Sequence, residues 1–150
     1  MGAAYFYHLT QRSMEDTLTM LLGKARGAGW RVAVRGVQMS RMAQLDSRLW
    51  QGDGFVAHGV AGGAHDAAQP ILLTTDADCP NGATCVMSID GAQVSADEVA
   101  AMERVCILFD GMDPQALDTA RGQWKALKNA GVSAQYWSEE SGRWEKKAET

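Results

Sequence analysis

The chain has 150 residues, 46% hydrophobic and 21% charged, with a formal net charge of −4, a balance that suits one globular domain and excludes a disordered chain. A free-standing nucleic-acid binder usually carries a strongly basic face, so DNA is expected to be contacted only indirectly or through a local patch. No apolar run approaches the roughly 20 residues of a membrane helix, no secretory leader is visible, and Cys79, Cys85 and Cys106 lack disulfide spacing, so a reducing cytoplasm with no membrane contact is expected.

Residues 4–10, AYFYHLT, predict an aromatic-rich first strand. Ser13 then offers an N-cap, and Met14, Leu18, Leu21, Leu22 and Ala25 recur at helical spacing over 14–26. Gly27 and Gly29 end that helix. RVAVRGV (31–37) reads as a strand and SRMAQLDSRLW (40–50) as a second helix with Met42, Leu45 and Leu49 on one stripe. A Gly-rich loop is expected over 51–70, then strands over 71–75 and 83–90. Ser95 and Glu98 form a capping box that opens a short helix over 95–102. RVCILFD (104–110) is the most strand-like run. Asp113 and Pro114 open the last helix, which runs to about Asn129 and stops at Gly131. VSAQYWSE (132–139) is the last predicted strand, and the mixed-charge tail from about 139 is expected to fray, with Trp144 pinned down. Strands alternating with helices, the strands mostly continuous apolar runs, predict a three-layer α/β sandwich: a mostly parallel sheet flanked by helices in a single domain over 1–150.

Enzymatic chemistry finds little support in the motifs. A dinucleotide site needs G-x-G-x-x-G between the first strand and helix, yet LTQRSMED has no glycine and two acids there. No phosphate-binding loop motif occurs. Cys79 and Cys85, with His58 and His65 upstream, lack the tight spacing of a zinc site, so no metal and no cofactor are expected, and Cys106 reads as a small core residue. There is no G-x-S-x-G, and His8 reads as a hydrogen-bonded strand histidine.

The last helix is the most informative stretch. Leu117, Ala120, Trp124 and Leu127 form a core-type stripe, and Arg121, Lys125 and Lys128 lie on the stripe beside it. This is either a solvated basic face, slightly favoured by the helix dipole near its C-terminus, or a receptor for something both acidic and apolar.

Taken in order, FYHLT, LDSRLWQGDGFVAHGVAG (45–62), FDGMDPQAL leading into ARGQWKALKNAG, and the tryptophan close at Trp144 resemble the chi subunit of the bacterial DNA polymerase III holoenzyme. The resemblance implies a Rossmann-like fold and a non-catalytic accessory subunit. In that family chi links the clamp loader, through the psi subunit, to the acidic C-terminal tail of single-stranded-DNA-binding protein, which ends in Pro-Phe with a free carboxylate. Carried over position by position, Arg121 and Lys125 match the residues that meet the tail's carboxylates. Trp124 stands where the family has an aromatic, Trp50 and Phe55 match the neighbouring aromatic wall, and Lys128 matches a further basic position. Leu117 stands where the family tends to have a basic residue. The alternative is a small-molecule or nucleotide-binding enzyme of Rossmann-like form, its site near Thr10–Ser13, Val37–Ser40 and Asp110–Asp113. A third reading is direct single-strand DNA binding through Trp124 and the lysines.

Overall fold

The computed structural model describes residues 2–51, 58–62, 65–77 and 80–150. Phe55, Cys79 and the side chain of Trp50 lie outside what is described. In chain order the elements are β1 (Ala4–Leu9), α1 (Met14–Gly27), β2 (Val32–Arg35), α2 (Met39–Gln51), β3 (Gly59–Val60), a 3₁₀ turn (Asp66–Ala68), β4 (Ile71–Thr74), β5 (Cys85–Ser88), α3 (Ala96–Ala101), β6 (Arg104–Asp110), α4 (Pro114–Asn129), β7 (Ala134–Ser138) and β8 (Glu145–Glu149).

The strands form one sheet in the order β3-β4-β2-β5-β6-β1-β7-β8. Every pairing is parallel except β7 with β8. Central strands of a parallel sheet are covered on both faces, which is why β2, β4 and β5 are buried at every residue. Leu18 and Leu22 of α1 and Met42 and Leu45 of α2 pack on one face, against Val34, Leu73 and Leu108. Val99 of α3 and Ala120 and Leu127 of α4 pack on the other, against Phe6, Val86 and Ile107. This is the expected three-layer α/β sandwich.

The helix starts follow from their caps. Ser13 Oγ accepts the Asp16 N–H at 3.1 Å, Ser95 and Glu98 close a reciprocal capping box, and Asp113 Oδ1 accepts the Gln115 N–H at 3.0 Å ahead of Pro114. Each satisfies N–H groups that the first helical turn leaves without partners. Gly131, at φ 79°, makes the left-handed turn that ends α4.

Two strands depart from expectation. β3 falls inside the predicted Gly-rich loop and is only two residues long, too short to carry a period. The tail expected to fray instead pairs antiparallel with β7, Gln135 opposite Glu149 and Ser138 opposite Glu145. Its residues, Glu-Lys-Lys-Ala-Glu, show no apolar alternation because the strand lies at the sheet edge and is largely exposed, and charge is what such edges carry. Main-chain pairing holds it, helped by Gln135 Nε2 donating to Glu149 at 3.1 Å. Trp144 is pinned as expected, edge-on to Tyr7 with ring centres 5.4 Å apart.

Candidate partner-binding surface on the last helix

α4 runs across β6 and β7. Its 3.6-residue period turns Ala120 and Leu127 inward, where both are buried, and leaves Leu117 and Trp124 half-buried at the margin. Arg121, Lys125 and Lys128 are exposed. Trp124 therefore belongs to the core stripe and to the surface at once. Gln123, unremarked in the sequence, is buried on the same helix, its amide reaching the Ala92 carbonyl at 3.5 Å.

The wall beside Trp124 is aromatic. Phe6 meets the indole edge-to-face at 5.3 Å and Tyr136 at 5.9 Å. Tyr136 in turn touches His8 at 5.8 Å and Phe109 at 5.9 Å, and His8 stacks on Phe109 at 5.3 Å. Edge-to-face and offset pairs of this kind add about 0.5–1.5 kcal/mol each beyond their buried area, so the indole sits on a firm base. Gly111 makes the arrangement possible, because a Cβ there would collide with the His8 imidazole. Phe6 and His8 share this face because β1 alternates; Tyr5 and Tyr7 face the other way. Phe109 and Tyr136 join this candidate site from β6 and β7 and were unmarked in the sequence. His8, read as a hydrogen-bonded strand histidine, stacks on Phe109 with its Nε2 buried and unbonded among the described residues; the alternation of AYFYHL was the signal that could have placed it beside Phe6.

The electrostatics are local. Burial raises the Tyr136 phenol, the Arg121 charge opposes that rise and Glu140 adds to it. Arg121 and Glu140 thus both act on this ring, and Glu140 lies 3.6 Å from His8 Nδ1. Among the described residues no acid pairs with Arg121, Lys125 or Lys128. Lys128 stands further along the helix and borders a separate hollow with Gly2, Asp97 and Thr150. Trp50 is on α2, and its side chain and Phe55 lie outside the described residues.

The carboxyl end of β1, where an enzyme of this fold class would hold a phosphate, is occupied by the chain itself. Glu139 Oε1 accepts the N–H groups of Thr10 at 3.1 Å, Gln11 at 2.9 Å and Arg12 at 2.8 Å. Burial alone would raise this carboxyl, but those three bonds and the Arg12 charge outweigh it and hold it below its usual range. Nearby, Arg41 pairs with Glu15 at 2.6 Å and with Asp90 at 3.3 Å, and Asp110 accepts the Met112 N–H. The crevice is acidic and internally bonded, which is the wrong chemistry for a nucleotide phosphate. Cys85 and Cys106 are buried strand residues with free thiols.

Among the described residues no helix is long and apolar enough to cross a membrane. None of the curated proteins compared with the chain gives a match. The family described as DNA polymerase III chi subunit, HolC, matches residues 1–135. That match reaches from the first strand through α4 into β7, and the chain belongs to the DNA polymerase III chi subunit family.

Proposed function

We propose that this protein is a non-catalytic accessory subunit of the replicative polymerase's clamp-loader assembly. It binds the acidic C-terminal tail of single-stranded-DNA-binding protein on α4 and, through a psi subunit, links that protein to the holoenzyme in the cytoplasm. One observation carries this reading: a half-buried indole braced by Phe6 and Tyr136, flanked by exposed cations that no acid among the described residues neutralises. A tail that is acidic along its length and ends in a phenyl ring beside a carboxylate complements both halves of that surface. Arg121 and Lys125 take carboxylates, Trp124 takes the apolar end, and Lys128 extends the basic track. Trp50 and Phe55 are proposed as the neighbouring wall.

The magnitudes agree. Burying a phenylalanine side chain gives about 1.5–3 kcal/mol, a charge-assisted bond about 1.5–3 kcal/mol, and each exposed ion pair about 0–1 kcal/mol. After association costs, one such surface supports roughly micromolar binding, near −8 kcal/mol. Calorimetric titration with a synthetic tail peptide tests the reading. Arg121→Ala and Trp124→Ala are each expected to weaken binding about ten-fold or more, equivalent to about 1.4 kcal/mol. If both variants bind as the parent does, the surface lies elsewhere.

A further inference from the structure

We infer that the opposite face of the same strands holds a second binding site, for a flat aromatic anion. On the α1 side, between that helix, β1, β5, β6 and β7 and the Trp144 ring just before β8, lies a hollow of about 480 Å³. Sites for small ligands span about 300–1,000 Å³. Tyr5, Tyr7, Trp30 and Trp144 supply much of its wall, and its charged lining groups are Arg104 and Lys24, with no carboxylate among them.

Arg104 is the distinctive group. Its guanidinium lies 4.2 Å from the centre of the Tyr5 ring and 5.3 Å from that of Trp30. Except for Arg121 on the exposed face of α4, the other arginines have acceptors among the described residues: Arg35 pairs with Glu98, Arg41 with Glu15 and Asp90, Arg48 with Asp16, Arg12 with Glu139 and Arg143 with Glu145, while Arg26 and Arg31 reach carbonyl oxygens. Arg104 has none among the described residues, and its Nε is buried and unbonded. The Trp144 indole nitrogen is buried and unbonded as well. A buried donor without an acceptor costs about 1–3 kcal/mol, and a cation held partly out of water favours a counter-charge beside it.

The chemistry of the occupant follows from the wall. Aromatic rings around the hollow select a flat ring, and the two cations, with no carboxylate beside them, select a negative group. A small aromatic carboxylate meets both demands. A phenylalanine beside an acid on a polypeptide offers the same groups, but the volume suits a small molecule taken up whole.

Indole N–H signals in a ¹⁵N–¹H NMR titration of the full chain read this directly. Naphthoate at millimolar concentration is expected to shift the Trp30 and Trp144 signals saturably and to leave Trp124, on the other face, in place. Naphthamide, the same ring without the charge, is expected to bind about ten-fold more weakly, and Arg104→Gln to weaken naphthoate about ten-fold and erase the acid-over-amide preference, with Arg104→Lys restoring part of both. An unmoved Trp124 signal reports an intact fold in each variant. Should Arg104→Gln unfold the chain, Lys24→Gln takes its place, with an expected loss of about three-fold from an exposed charge. A blocked Glu-Phe dipeptide runs beside naphthoate; saturation by either supports the site, and the tighter of the two identifies the source. No Trp144 shift with either ligand, equal binding of acid and amide, or a shift confined to Trp124 overturns the proposal. None of these outcomes depends on tail binding at α4, which is read through Trp124.

Discussion

Two arginines, Arg104 and Arg121, lack a protein acceptor among the described residues, and they sit beside aromatic rings on opposite faces of one sheet. Arg121 projects from the exposed side of α4 into water, next to rings that are already packed against one another. Arg104 is drawn down onto Tyr5 and Trp30, with one nitrogen out of solvent. The same residue type thus meets two different surroundings. An exposed guanidinium with lysines along the helix suits an extended, multiply charged partner, and salt screens it. A guanidinium held on rings and partly desolvated suits a single anion, and salt screens it less.

The comparison can be broken most severely at Phe6. It is fully buried and supports Trp124 from below. Phe6→Ala is expected to cost about 3–5 kcal/mol in urea denaturation and to weaken the tail peptide as well, by loosening the indole. Persistence of wild-type tail affinity in a destabilised Phe6→Ala chain would separate Trp124's packing from its binding.

The next effect is at Glu139, which ties the end of β1 to the segment leading from β7 to β8. Glu139→Ala removes three charge-assisted bonds and is expected to cost about 1.5–3 kcal/mol. It should disturb Trp144 more than Trp124, because the freed segment carries Trp144. The pH dependence has a definite sign. The folded carboxyl sits below its usual 4.5, so its contribution is complete above that value and fades as pH falls through the lower folded one. Urea midpoints measured at about pH 7 and about pH 4 should therefore differ less in the variant than in the parent; an equal difference would remove Glu139 as the cause.

The mildest change is Lys125→Ala. An exposed cation is worth about 0–1 kcal/mol, so tail affinity should fall by about two- to five-fold with the urea midpoint unchanged. Titrating the peptide at rising salt should shrink even that difference, whereas naphthoate binding at Arg104 should decline less over the same range.

These regions were unequally legible. α4 was plain, because Asp113, Pro114, the apolar spacing and Gly131 all act within a few residues of one another. β6 and β2 were plain because strands buried on both faces read as unbroken apolar runs. The basic stripe with Trp124 was visible for the same local reason. Its floor was not: Phe6, His8, Phe109 and Tyr136 come from three strands distant in sequence and meet only through parallel pairing. Nothing local in the sequence singles out Arg104; it is flanked by Trp30, far away in the chain. β8 was missed because its order resides in β7, not in its own residues.

β8 has a further consequence. The family match ends at residue 135, inside β7. Polypeptide trimmed to that boundary would lack the charged outer ribbon and leave β1 with an incomplete neighbour, its amide and carbonyl groups open to recruitment by other molecules. Glu145–Glu149 thus close the sheet with a charged strand, and a chain ending at residue 135 is expected to self-associate more readily than the full one.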